Sequence, residues 1–243
     1  MNWESVIRTV ATAVIAYLIG SLNPAIIITK IKTGQDIRTM GSGNAGFTNV
    51  LRSVGVAPAV ITIICDYAKG ILAVLVGWWI FSAMTLTDDV TRLEYVKYGG
   101  YLAGMFVIIG HSFPIFYGFK GGKGVVTANA LMIVVDFRVF LLIIATFLIV
   151  VAFTKLISLG SITGAAMFPI YTCLITYFCD YLPLLGTADE IRFRFVLIST
   201  GCALVIGLMI IIMHHANIKR LIAGQEKKIK AKSKDAPKTE TES

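Results

Sequence analysis

A chain of 243 residues that is 56% hydrophobic and 15% charged, with a mean hydropathy of +0.80, is too apolar for a soluble domain, which averages about 45–50% apolar and about 25% charged. The net charge of +8 does not mark a nucleic-acid partner, because eight of the 22 basic residues fall between Lys219 and Lys238. Cys65, Cys173, Cys179 and Cys202 show no C-x-x-C spacing and read as small core residues. With only His111, His214 and His215 beside them, neither a metal site nor a cofactor is expected.

Seven apolar segments are predicted to be membrane helices, at about 6–29, 57–81, 96–113, 124–135, 138–156, 160–181 and 194–213. The first has no basic n-region and no A-x-A cleavage site, so it reads as a retained span. The fourth is short for a ~30 Å hydrocarbon layer and is expected to be tilted or to continue from the glycine loop before it. The fold class expected is therefore an all-α integral membrane protein. Residues 1–222 would form one seven-helix domain, and 223–243 a basic, disordered cytoplasmic tail.

The connections alternate in charge. Glu4 to Arg8, 82–97, 136–138 and 180–194 carry six basic and eight acidic residues. Residues 30–56, 114–123, 152–161 and the tail carry fifteen basic and five acidic ones. The positive-inside rule puts the second set in the cytoplasm, with the N-terminus outside and the C-terminus inside. Five spans would give the same sidedness.

The polar chemistry is concentrated in those basic connections. After the first span comes Gly41-Ser42-Gly43-Asn44-Ala45-Gly46-Phe47-Thr48-Asn49-Val50-Leu51-Arg52. Glycines let backbone N–H groups approach an anion, while Ser42, Asn44, Thr48 and Asn49 add neutral hydrogen-bonding groups. Arg52 adds a planar cation suited to phosphate. Helix packing through small residues is the plainer reading, but these glycines lie in a polar loop.

Within the second span, Asp66 and Lys69 stand three residues apart and can pair on one helix face, as a structural pair or a functional one. His111, just before Pro114, reads as an interfacial residue. Phe119-Lys120-Gly121-Gly122-Lys123-Gly124 then opens the fourth span. It is not a Walker A loop, since Gly124 follows Lys123 where Ser or Thr is required. Glycine amides at a helix start with two lysines still make an anion site. Ser158-Leu159-Gly160-Ser161 falls on the same side. His214 and Asn217, three apart at the end of the last span, share a face.

No H-x-x-x-x-D motif occurs: the residues five beyond the three histidines are Phe116, Lys219 and Arg220. No G-x-S-x-G elbow occurs either. A transporter of a phosphorylated small solute is the rival reading, but no internal repeat appears and the polar clusters share one membrane face.

Gly-Ser-Gly-Asn-x-Gly-x-Thr-Asn-x-x-Arg (41–52), Asp-x-x-Lys-Gly (66–70), Gly-His-x-x-Pro-x-Phe-x-x-Phe-Lys-Gly-Gly-Lys-Gly-Val (110–125) and His-x-x-Asn-Ile-x-Arg-Leu (214–221) together resemble the PlsY family of bacterial acyl-phosphate:glycerol-3-phosphate acyltransferases, in order from about Gly20 to Glu226. The resemblance implies a seven-helix enzyme of the bacterial inner membrane, with its active site facing the cytoplasm. It implies acyl phosphate and glycerol 3-phosphate as substrates and lysophosphatidic acid as product, with membrane lipid and other enzymes of phospholipid synthesis as partners. On that likeness Ser42, Asn44, Lys123 and His214 are the catalytic candidates. Gly41, Gly43, Thr48, Asn49, Arg52, Lys120, Gly121, Gly122, Gly124 and Asn217 are the substrate-binding ones. Departures are Met213, where many members carry Arg, Asn23 within the Gly-Ser-x-Pro end of the first span, and longer connections at 82–97 and 180–194.

Overall fold

The structure is a computed structural model that describes residues 3–84, 91–187 and 190–229. Its regular elements are all helices: α1 (Trp3–Ser21), α2 (Pro24–Thr33), α3 (Phe47–Ser53), α4 (Val56–Ser82), α5 (Arg92–Ser112), α6 (Val125–Val135), α7 (Phe137–Thr154), α8 (Ile157–Ile175), α9 (Leu182–Leu184), α10 (Phe193–Met213) and α11 (His215–Ile222). Single 3-10 turns cover Ile37–Thr39 and Ile115–Tyr117, and α8 runs on through a π-helical stretch at Thr176–Tyr181. Among the described residues, six segments are long and apolar enough to cross a membrane: Trp3–Thr33, Val56–Ser82, Arg92–Tyr117, Phe137–Thr154, Ile157–Leu184 and Phe193–Met213.

The short fourth segment is α6. Its 11 residues rise only about 16 Å, roughly half of the hydrocarbon layer. The glycine loop before it is bonded to the last two residues of α5, Gly121 to Ser112 and Gly122 to His111.

The expected first span is two helices. Asn23 is the reason, because its Oδ1 accepts from the N–H of Ile26 at 3.2 Å and so caps α2. Pro24 at the first helical position then has no amide to leave unsatisfied. The break frees the carbonyl of Leu22, which accepts from Lys69 Nζ at 2.8 Å.

α5 is the central helix, packed on α1, α4 and α6, with α8 and α10 paired and α7 lying outside on α8. Small residues permit this closeness, which is how helices associate where lipid supplies no hydrophobic drive. A Cβ on Gly77 of α4 would lie 2.5 Å from the carbonyl oxygen of Gly99 on α5. Phe168, Leu131, Ile108 and Ile206 fill the space between helices. Leu148, Ile149 and Phe153 of α7 and Leu204, Leu208 and Ile212 of α10 face outward as a lipid-contacting surface.

The two ends of the bundle differ chemically. At one end Arg138 pairs with Asp136 (2.7 Å) and Asp180 (2.8 Å), and Lys97 lies 3.5 Å from Asp180. These charges are mutually neutralised. The other end gathers α2, α3, the loop before α6, the α7–α8 connection and α11.

Candidate active site

The loop after α2 is assembled around one amide. Asn49, in the first turn of α3, is buried. Its Nδ2 donates to the carbonyls of Ile37 (3.1 Å), Met40 (3.0 Å) and Asn44 (3.0 Å), and its Oδ1 accepts from the N–H of Ser42 at 2.9 Å. These bonds satisfy backbone groups that an irregular loop would otherwise leave unpaired. Asn49 is thus engaged by the loop itself. Gly41, Ser42 and Gly43 are exposed, Asn44 and Thr48 are half-buried, and Arg52 projects exposed from the end of α3.

The second loop is tied to the first. Arg38 donates to the carbonyls of Tyr117 (2.6 Å) and Lys120 (3.2 Å) while holding the Asp36 carboxylate at 2.7 Å. Gly121 and Gly122 donate to the carbonyls of Ser112 and His111, both at 3.0 Å. Gly122 is where the loops meet. A Cβ there would collide with Nε2 of His111 and lie 2.6 Å from the Ala45 carbonyl oxygen. Lys120 remains exposed, whereas Gly124 is buried against Ile108.

Beneath this junction lies the Asp66–Lys69 pair of the second span. Lys69 Nζ is 2.8 Å from Asp66 Oδ1 and 2.9 Å from Nδ1 of His111, with all three side chains buried. The same Nδ1 lies 3.4 Å from Asp66 Oδ1, so Lys69 and Asp66 both meet that ring nitrogen, and the opposite atom, Nε2, faces Gly122. The three charged or polar groups join α4, α5 and the Leu22 break, and they support the glycine loop from below.

Lys123 is the centre of the site. Its ammonium donates to Oδ1 of Asn217, the buried residue of α11. Burial pushes the Lys123 amine down to about 8, and the nearby charges of Arg220 and Arg52 act in the same direction, opposed by Glu226. His214, buried at the end of α10, has Nδ1 2.8 Å from the carbonyl of Ile210. A carbonyl only accepts, so Nδ1 carries the proton and Nε2 is left as an acceptor. Burial, with help from Lys123, lowers His214 to about 4, although the Ile210 bond and Glu226 pull the other way. It is neutral at pH 7. The geometry therefore joins Arg52, Lys123, His214 and Asn217 at one end of the bundle, with Ser42, Asn44 and Thr48 on the adjoining loop.

Arg38, Arg220 and Glu226 are the site residues that sequence reasoning passed over. Arg38 follows Asp36 at the spacing of a side-chain-capped turn, but nothing in that spacing names the loop it staples. Arg220 stood within the His-x-x-Asn-Ile-x-Arg motif. Glu226 looked like one acid among many in the tail. Of the segment 223–243, residues 223–229 are described, and Ile229 donates its N–H to the carbonyl of Lys155 at 2.9 Å. The rest of the expected tail lies outside the described residues.

Comparison with known proteins places the chain in a family. Residues 10–224 match the glycerol-3-phosphate acyltransferase family. A glycerol-3-phosphate acyltransferase of Clostridioides difficile (strain 630) is 39% identical over 217 residues, covering 89% of this chain and 93% of its own. One from Ralstonia pickettii (strain 12J) is 34% identical over 95% of this chain and 99% of its own. Among solved structures, the glycerol 3-phosphate form of PlsY (YgiH), an integral membrane glycerol 3-phosphate acyltransferase, superimposes with a TM-score of 0.69 at 32% identity, covering 91% of this chain and 96% of that one. Its lysophosphatidic acid form gives 0.67 at 30% identity, over 91% and 95%. A cluster of cations beside two glycine loops, at one end of an apolar helical bundle and with this degree of likeness, makes the chain a member of the glycerol-3-phosphate acyltransferase family.

Proposed function

We propose that this protein transfers a fatty acyl group from an acyl phosphate to the 1-hydroxyl of sn-glycerol 3-phosphate, forming lysophosphatidic acid at the cytoplasmic face of a bacterial inner membrane. The observation that carries this reading is Lys123, bonded to Asn217 and placed among Arg52, Arg220 and the neutral His214. Two substrates that each bear a phosphate require such a concentration of cations. The structures of relatives named for their glycerol 3-phosphate and lysophosphatidic acid forms support the acceptor and the product. The acyl phosphate donor rests on the motif likeness and on the missing H-x-x-x-x-D. We read residues 1–222 as one membrane domain.

An acyl phosphate is already activated, so orientation and charge neutralisation suffice. The glycerol C1 oxygen attacks the acyl carbonyl carbon and an ester C–O bond forms. The bond from that carbon to the phosphate oxygen breaks, and inorganic phosphate leaves. Arg52, Lys120 and Lys123 hold the two phosphates, while the glycine loops, whose amides of Ser42, Gly43, Gly46, Gly121 and Gly122 bond within the protein, shape the space around them. Ser42, Asn44 and Thr48 orient hydroxyls and polarise the carbonyl. His214 Nε2 accepts the hydrogen bond of the attacking hydroxyl and so aims it. At about 4 it is too weak a base to keep the proton, which passes to a substrate phosphate instead.

The test is turnover of purified protein in lipid vesicles with palmitoyl phosphate and labelled glycerol 3-phosphate. Labelled lysophosphatidic acid is expected with this donor and none with palmitoyl-CoA. Equal rates with the two donors would overturn the donor assignment.

A further inference from the structure

Glu226 lies beside Lys123 and Arg220, four residues beyond the end of α11. Its side chain is only 8% exposed. Oε1 accepts from Asn217 Nδ2 at 2.8 Å and Oε2 accepts from Arg220 Nε at 2.7 Å. The chain around it is fixed: Gln225 donates to the carbonyl of Arg220 at 2.7 Å and Gly224 to that of Leu221 at 3.1 Å. Ile229 closes the segment onto Lys155, between α7 and α8.

This geometry determines the handedness of an amide. A carboxylate accepts and cannot donate, so it turns the NH₂ of Asn217 toward itself and the carbonyl oxygen toward Lys123. The Lys123 ammonium donates to that oxygen. We propose that Glu226 is a positioning residue for this reaction: its carboxylate orients Asn217 and Arg220, and through Asn217 it holds the Lys123 ammonium where it binds phosphate. The proposal rests on reading Lys123 as a phosphate-binding cation.

Electrostatics point the same way. The charged and titratable groups around Lys123 are Arg52 from α3, His214 at the end of α10, Arg220 from α11 and Glu226, and only Glu226 favours the charged amine. Removing its charge lets the lysine deprotonate at lower pH. A carboxylate that merely occupied the place of a phosphate would behave differently, since its loss would leave a more positive site and tighten substrate binding.

The experiment compares Glu226→Gln, Glu226→Asp, Glu226→Ala and Lys123→Ala in the full chain reconstituted in vesicles. It measures kcat, KM for glycerol 3-phosphate, the pH dependence of kcat/KM and thermal stability. Glu226→Gln and Glu226→Ala are expected to raise KM by about fivefold or more, with a smaller change in kcat. Both should move the alkaline limb of kcat/KM to lower pH, and Glu226→Asp should recover part of each effect. A KM that falls, or a KM and an alkaline limb that stay put in Glu226→Gln, overturns the proposal. So does a loss that tracks only the fraction of folded protein. Because Glu226→Gln keeps shape and size, it decides the matter if Glu226→Ala does not fold. If Lys123→Ala retains full activity, the reading of the site has failed. If Lys123→Ala collapses while the Glu226 variants behave as wild type, only the role of Glu226 has failed.

Discussion

A lysine that binds phosphate must stay protonated, and Lys123, pushed down to about 8, is close to the limit. Because its value is lowered, the charge is present below about pH 8 and is lost above it. kcat/KM for glycerol 3-phosphate should therefore decline above about pH 8, since this ratio reports groups of the free enzyme; a profile flat to pH 10 would contradict it. Lys123→Ala removes a charge-assisted contact of about 1.5–3 kcal/mol, or roughly 10- to 150-fold in kcat/KM. Lys123→Arg should recover little, because Gly122 and Gly124 beside it are buried and its partner is a single amide oxygen. Ser42 calls for a different measurement. Among the described residues no hydrogen bond joins its hydroxyl to a base, so incubation with acyl phosphate alone should leave no acyl mass on the Ser42 peptide. An adduct formed there and discharged by glycerol 3-phosphate at a competent rate would replace direct transfer with a two-step route. At this scale sequence shows residue type better than residue duty. Asn49 read as a substrate ligand, yet its amide is engaged by five residues of its own loop region, if Ser53 at 3.4 Å is counted with the other four. No spacing rule distinguishes an amide that holds a loop from one that holds a ligand.

Among the elements, the junction of the two glycine loops is the least tolerant. Gly122 touches His111 and the Ala45 carbonyl, and His111 is itself fixed by Lys69 and Asp66. Gly122→Ala must displace backbone or break that buried network, so activity should be lost or the folded yield should drop severely. Gly118 provides the contrast within the same loop. Its φ of +65° favours glycine, but nothing lies within 4 Å of an added Cβ. Gly118→Ala meets only left-handed strain of about 1–2 kcal/mol and should keep most of its activity. If the two variants behave alike in turnover and in thermal stability, the loop contact has been misread. The helical segments themselves were legible, because apolar runs of membrane length have few alternatives. The break at Leu22–Asn23 was not, since Asn-Pro reads equally as an interruption and as a cap. The Asp66–Lys69–His111 network was half legible: the i, i+3 pair is local, but His111 is 42 residues beyond Lys69. Only tertiary packing brings it there.

For the whole molecule, one arrangement follows from alternating helices and the charges between them. The ends bearing Lys30, Arg38, Arg52, Lys120, Lys123, Lys155 and Arg220 converge with the glycine loops. Lys97, Asp136, Arg138 and Asp180 form a neutralised cluster at the far end. By the positive-inside rule, this excess of cations at one end supports the proposed orientation, with that end in the cytoplasm. The short α6 adds a second reason to place the chemistry there. A helix of 11 residues is too short to cross alone, and its glycine loop bonds to the end of α5 at the basic end of the bundle. Sidedness can be measured with single cysteines in a background lacking Cys65, Cys173, Cys179 and Cys202. Thr39→Cys and Lys219→Cys, both exposed at the basic end, should resist an impermeant thiol reagent in intact cells and react after permeabilisation. Thr187→Cys, exposed beyond α9, should react without it. Labelling of position 39 or 219 from outside would reverse the orientation, and the active site would then face away from the cytoplasm. Labelling of all three positions only after permeabilisation would mean that α10 does not cross, which is incompatible with Phe193–Met213 joining the far end to His214.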